Sequence, residues 1–277
     1  MQPIWETFTG NTNTAWQTHT AGTGRLETTR SSLKFVTGPA APEGYSNAQI
    51  DDYQGLPRHR FAWHPPLRLT VRARFSHTAD QLRGTAGFGF WNDPLLMTQK
   101  RLPALPRALW FFYSSVPSDM KLDIDTPGYG WKAAAIDATR ITGLIWAPLA
   151  PLLVPLMNLS PVYRKIWPRI QRDLRIREAV IRVDMRHWHT YELHWGTKQS
   201  RFGVIEEDAE SSVPLVVTPS PRGPLGFVMW QDNQYLVVTP WGRIRWGTLE
   251  VPKHQWMETD HLNVATLEEE QQALAAD

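Results

Sequence analysis

The sequence contains no cysteine. That excludes disulfides, thiolate metal sites and cysteine nucleophiles, and it makes the cytoplasm the expected compartment, because disulfides are the common staple of exported domains. The first ten residues lack the basic-then-apolar run of a secretory leader, so none is expected. Excess charge is also scarce: 29 Lys and Arg against 27 Asp and Glu leave a formal charge of +2, too little to imply nucleic acid as a partner. The Walker loop, the dinucleotide glycine fingerprint and the Gly-x-Ser-x-Gly elbow are all missing, which argues against nucleotide cofactors and serine hydrolysis. No metal is expected either. His187 and His189 alternate without a supporting carboxylate triad, and no carboxylate run suits a calcium site.

What the chain does have is enough apolar material for a core, with 42% hydrophobic residues and 14 Trp among its 277 residues. All-β sandwiches use this length for one domain, and one domain over 1–277 is the expectation. Short runs of alternating apolar residues recur between turn signals, which is the pattern of half-buried antiparallel strands. Leu67, Leu69, Val71, Ala73 and Phe75 form the clearest run. Others lie at 32–36, 48–53, 86–91, 109–114, 120–125, 180–184, 189–195, 202–206, 225–230, 235–239 and 247–251. No fixed repeat is present, which disfavours propellers and solenoids. The fold class read from this pattern is all-β, an antiparallel sandwich.

An insertion at about 131–178 breaks the pattern. Residues 133–145 read as helix, and 141–159 are uncharged but interrupted by Pro148, Pro151 and Pro155, which argues against a simple transmembrane span. Residues 161–177 follow as a basic amphipathic helix, with Tyr163, Ile166, Trp167, Ile170 and Leu174 on one face and arginines on the other. Three readings stay open for the insertion: a cover over an open end of the sandwich, a membrane-surface contact, or a greasy lid over a ligand.

The segment His187-Trp188-His189-Thr190-Tyr191-Glu192-Leu193-His194-Trp195 resembles the His-Thr-Tyr strand of family-16 glycoside hydrolases. Gly87-Phe88-Gly89-Phe90-Trp91 and 225–233 are similar to two further strands of that family in the expected order. The resemblance implies a concanavalin A-like jelly roll whose curved inner sheet forms a binding cleft. It also implies a Glu-x-Asp-x-Glu strand carrying the nucleophile and the acid/base. The matching stretch here is Lys121-Leu122-Asp123-Ile124-Asp125, in which the first Glu is replaced by Lys and the last by Asp. Retaining hydrolysis needs two closely spaced carboxyls, and lysine cannot replace the nucleophile.

Strand alternation puts Lys121, Asp123 and Asp125 on one face, and Gln49, Asp51 and Tyr53 on one face of an earlier strand. Arg58 offers a donor fork to an anionic group. Trp91 with Asn92, Trp110 and Trp230 are candidate stacking surfaces, and Trp146 and Trp167 are candidate contacts from the insertion. The expected function is binding of an amphipathic small molecule, lipid or glycan in a cleft roofed by the insertion. An alternative is a divergent glycoside hydrolase using Asp123 and Asp125 as acid and base. A further alternative is a protein-docking scaffold using the basic helix and the acidic residues 268–270.

Overall fold

The structure is a computed structural model that describes residues 4–9, 16–94, 104–206 and 212–266. The acidic stretch 268–270 lies outside the described residues. In chain order the elements are β1 (Ile4–Glu6), β2 (Gln17–Ala21), β3 (Arg25–Thr28), β4 (Leu33–Thr37), β5 (Asn47–Asp51), β6 (Leu67–Phe75), β7 (Thr85–Trp91), β8 (Arg107–Ser114), β9 (Asp119–Met120) and β10 (Gly130–Asp137). Three helices follow, α1 (Ile141–Leu144), α2 (Ala150–Leu156) and α3 (Ser160–Asp173). The chain then returns to strands: β11 (Arg177–Val180), β12 (His189–Trp195), β13 (Gln199–Glu206), β14 (Val213–Pro219), β15 (Gly226–Asp232), β16 (Gln234–Val238), β17 (Ile244–Thr248) and β18 (Gln255–Thr266).

Two antiparallel sheets pack face to face. The outer one runs β14-β13-β12-β6-β18-β4-β3 with β1 paired to β18, and the inner one runs β11-β10-β8-β7-β15-β5-β2. A small third sheet joins β17, β16 and β9. In β6 every second residue, from Leu67 to Phe75, is buried while the residues between are half-exposed, as a strand with one face on the core requires. The His-Thr-Tyr strand is β12, in register with β6 so that Leu193 opposes Leu69 and Tyr191 opposes Val71. Tyr191 crosses the sandwich to meet Phe88 of β7 and Phe111 of β8, with ring centroids 5.3 and 5.2 Å away. Each such fully buried aromatic contributes about 2–3 kcal/mol of hydrophobic stabilisation. The fold is an antiparallel β sandwich with one helical, apolar insertion.

Three local expectations are corrected. Residues 133–137 are not helical but complete β10. The helix preference of Ala133, Ala134 and Ala135 is overridden by pairing with β8 on one side and β11 on the other. The run at 180–184 is strand only up to Val180, in β11. The run at 120–125 is strand only at Met120. Beyond it, the Glu178 carboxylate accepts from Asp123 N and the Asp123 carboxylate accepts from Asp125 N, so side chains take the place of a ladder.

Candidate functional site

The face of the inner sheet turned away from the core carries the odd residues of β7 and the even residues of β8 and β15. This places Trp91, Trp110, Phe112 and Trp230 side by side on neighbouring strands. Trp110 stacks on Phe112 at 5.5 Å, and Trp91 lies 5.7 Å from Trp110. Glycine makes the close strand approach feasible: a Cβ on Gly89 would collide with the Leu109 carbonyl and stand 2.9 Å from the Trp110 Cβ. The β16–β17 hairpin and Met120 rise over this floor, adding Tyr235, Leu236, Val238, Ile244 and Trp246. The result is a cleft of about 600 Å³ with mostly apolar walls.

Polar groups enter the cleft at one end, where β15 turns into β16. Trp230 Nε1 donates to Thr85 Oγ1 (2.9 Å), which in turn donates to Asp232 Oδ1 (2.8 Å). Asp232 Oδ1 also accepts from Gln234 N at 2.9 Å. Among the described residues Asp232 Oδ2 has no hydrogen-bond partner. Burial raises the Asp232 carboxyl to about 6, against the opposing pull of the Gln234 and Thr85 donors. One oxygen thus takes every donor, and a proton bound by this carboxyl sits on Oδ2.

Of the residues singled out in the sequence, Trp91, Trp110 and Trp230 meet in the cleft. Most of the others have structural work. Gln49 Nε2 donates to Asp51 Oδ2, and Asp51 Oδ1 accepts from the backbone of Tyr53 and Gln54, so the pair fixes the turn after β5. Tyr53 is buried behind Trp91, its hydroxyl accepting from Trp91 Nε1 at 2.7 Å. Arg58 spends its fork on the carbonyls of Asn92 and Asp93, and Asn92 bridges to Leu105 and Arg107. Lys121 Nζ donates to the Thr126 carbonyl. Asp123 is buried and accepts from Gln171 Nε2 of α3, whereas Asp125 is exposed. The expected common face of Lys121, Asp123 and Asp125 is absent, because the strand ends at Met120.

The insertion also departs from expectation. Trp167 Nε1 donates to the Leu122 carbonyl, and its ring packs on the edge of the aromatic cluster. Trp146 Nε1 donates to Asp173 Oδ2 at 2.9 Å. Neither lines the cleft, whose roof is the β16–β17 hairpin rather than residues 141–159. Phe112, Thr85, Tyr235 and Trp246 escaped the sequence reading. Trp246 lies just before the run read at 247–251, and nothing local in the sequence reports that the β16–β17 hairpin folds back over the inner sheet. Among the described residues no cluster of His, Cys, Asp or Glu side chains forms a metal site.

No family model and no curated protein matches the sequence. Solved structures do resemble it in fold. The mannose- and calcium-bound exoplasmic/lumenal domain of VIP36 has a TM-score of 0.51 at 12% identity, covering 96% of this chain and 89% of that one. A β-1,3-1,4-glucanase (lichenase) from a mouse hindgut metagenome scores 0.50 at 10% identity over 96% of this chain and 100% of its own. An uncharacterized protein from Mycobacterium paratuberculosis scores 0.50 at 11% identity, covering 95% and 99%. At these identities the likeness is one of fold.

Proposed function

Because the chain is a concanavalin A-like sandwich, we propose that it is a binding protein whose inner-sheet cleft takes an amphipathic ligand with a flat apolar body. The observation that carries this reading is the continuous wall of Trp91, Trp110, Phe112 and Trp230, facing Trp246 across about 600 Å³, with Thr85, Asp232 and Gln234 among the lining residues. Aromatic walls reward burial of apolar or sugar-ring C–H surface, while the few polar atoms fix orientation. The ligand's polar end lies at the Thr85, Asp232 and Gln234 end of the cleft, where the buried Asp232 carboxyl fixes the orientation of Thr85.

A glycan is the second reading, supported by the VIP36 domain with mannose bound and by the lichenase, which share the fold. Hydrolysis by Asp123 and Asp125 receives less support, since Asp123 is committed to Gln171 and Asp125 stands exposed outside any strand. Mass spectrometry of an organic extract from gently purified protein tests the first reading. A stoichiometric apolar or amphipathic compound is the expected result. An empty protein that instead binds immobilised glycans, with binding abolished by Trp110→Ala, would move the assignment to the sugar.

A further inference from the structure

No charged residue occurs between Arg140 and Arg164, yet most of this stretch is not buried. Ile141 (78% exposed), Ile145 (61%), Leu152 (65%) and Leu159 (56%) point into solvent, and α2 buries none of its residues. The segment is nonetheless held in place. Thr142 Oγ1 donates to the Asp173 carbonyl and Trp146 Nε1 to the Asp173 carboxylate, pinning α1 to the end of α3. At the other end α2 and α3 abut the turn of the β16–β17 hairpin. Tyr163 meets Trp241 edge to face at 5.5 Å, and a Cβ on Gly242 would stand 2.6 Å from Val154 Cγ1. The hairpin carries its own exposed apolar pair, Ile244 (64%) and Trp246 (73%).

A fixed, exposed apolar surface of this extent marks an interaction site rather than a folding accident. Its border identifies the partner. Arg164, Lys165, Arg169 and Arg172 of α3 are all exposed, as are Arg243 and Arg245 of the hairpin, and Asp173, the one acid in α3, is engaged by Trp146. Asp119 and Asp125 act electrostatically on Tyr163 at the inner edge, but the six exposed cations outnumber them, and apolar side chains flanked by cations complement a surface that is greasy within and negative at its edge. No helix among the described residues is long and apolar enough to cross a membrane. We infer that α1, α2 and the β16–β17 hairpin form a peripheral docking surface for an anionic lipid bilayer, inserting Ile145, Leu152, Ile244 and Trp246 below the headgroups while the arginines meet lipid phosphates. This surface is independent of what fills the cleft. It has a consequence for the cleft, though, since Ile244 and Trp246 also line its mouth, which then opens toward lipid.

Flotation of the full chain with phosphatidylcholine vesicles and with vesicles of phosphatidylcholine mixed with phosphatidylglycerol tests this. The protein is expected to float with the anionic vesicles only, with binding weakened by salt. Ile145→Asp with Leu152→Asp, and separately Ile244→Asp with Trp246→Asp, should each lower partitioning at least about tenfold. Arg164→Glu with Lys165→Glu should do the same. These positions are exposed, so an unchanged melting temperature confirms that the fold survives. Failure of the native chain to float overturns the inference. So does a native chain that is dimeric in solution and becomes monomeric with Leu152→Asp, because the surface would then belong to a second copy. Loss of flotation with the helix variants but not with the hairpin variants would remove the hairpin from the surface and overturn its part of the assignment.

Discussion

Trp91 and Trp230 face each other across adjacent strands with ring planes 5° from parallel and centroids 6.2 Å apart. In the register of β7 and β15 each indole stands opposite a glycine, Trp91 against Gly226 and Trp230 against Gly87. Neither is therefore crowded by its direct partner, and both extend over the sheet to form one floor. Each ring is also fixed by its nitrogen, Trp91 to the Tyr53 hydroxyl and Trp230 to Thr85 Oγ1. Such a floor is preorganised, so ligand binding loses little side-chain entropy.

Trp110 is the indole of this group best suited to a test, because it is half-buried and contacts both neighbours. Trp110→Ala should cost about 2 kcal/mol of stability, below the range for fully buried tryptophans, and weaken binding of an apolar fluorescent probe at least about tenfold. Equilibrium denaturation and probe titration on one preparation separate the two effects. Unchanged probe affinity in a folded variant would place the binding site elsewhere.

Lys132 is fully buried on β10, its Nζ donating to Glu178 Oε1 at 2.9 Å and to the Pro127 carbonyl at 3.1 Å. Glu178 Oε2 accepts from Asp123 N, and Asp123 accepts from Gln171, so one buried chain of bonds ties β10, β11, the 121–126 loop and α3 together. Burial pushes the Glu178 carboxyl up, while Lys132 holds it down. Lys132→Met removes the counter-charge and should destabilise by about 3–5 kcal/mol. The loss should be smaller in mild acid, where Glu178 can take up a proton. Lys132→Met with Glu178→Gln, which removes the charge and keeps an acceptor for Asp123 N, should recover most of it, as measured by urea denaturation. A double variant no better than the single one would refute the ion-pair account.

Asp232 gives the stability an unusual pH slope. Its folded value, raised by burial to about 6, lies above the ordinary carboxylate value, so the folded chain binds this proton more tightly than the unfolded chain. Stability from this group is highest below about pH 4, falls as pH rises through about 6, and stays low above that. The fall is on the order of 3 kcal/mol at most. Asp52, also raised by burial, to about 7, acts in the same direction against its bonds from Trp63 and Phe227. Asp232→Asn keeps an acceptor for Thr85 and Gln234 and should flatten the slope between pH 4 and 6 in denaturation midpoints. Wild-type and variant slopes that coincide would mean Asp232 is ionised throughout that range.

The sandwich was legible because strand alternation is local. Leu67 to Phe75 announced β6, the His-Thr-Tyr run announced β12, and Gly87 to Trp91 announced β7. Several of the missed strands had weak or misleading patterns. β2 (QTHTA) and β3 (RLET) carry little apolar periodicity, and the three alanines of β10 favour helix until β8 and β11 claim their backbone. The cleft was legible in part, through Trp91, Trp110 and Trp230. Its roof was not, because the turn that brings Trp246 to the cleft carries no local signal of where the β16–β17 hairpin folds. The polar candidates Asp51, Arg58 and Asn92 have the residue types of a binding site, but sequence does not report that backbone groups two to five residues away, or across a loop, already saturate them.

Asn233 controls the roof. Directly after β15, its Oδ1 accepts from Ser46 N at 2.8 Å, and its Nδ2 donates to the carbonyls of Gly44 (2.7 Å) and Leu249 (2.8 Å). The last of these follows β17, so one buried amide holds both ends of the hairpin to the inner sheet. Asn233→Ala leaves three backbone groups without their partner and should cost about 3 kcal/mol or more, at about 1 kcal/mol or above for each. Asn233→Asp keeps the acceptor for Ser46 but loses both donors, so it sets a carboxylate against two carbonyls and should be no milder. Because the hairpin forms the cleft wall opposite Trp110, both variants should also weaken binding of the apolar probe, even at temperatures where the sandwich stays folded by far-ultraviolet circular dichroism. Hydrogen exchange should rise selectively in 234–249. Uniform exchange across the chain instead would mean that Asn233 supports the whole fold and not the roof.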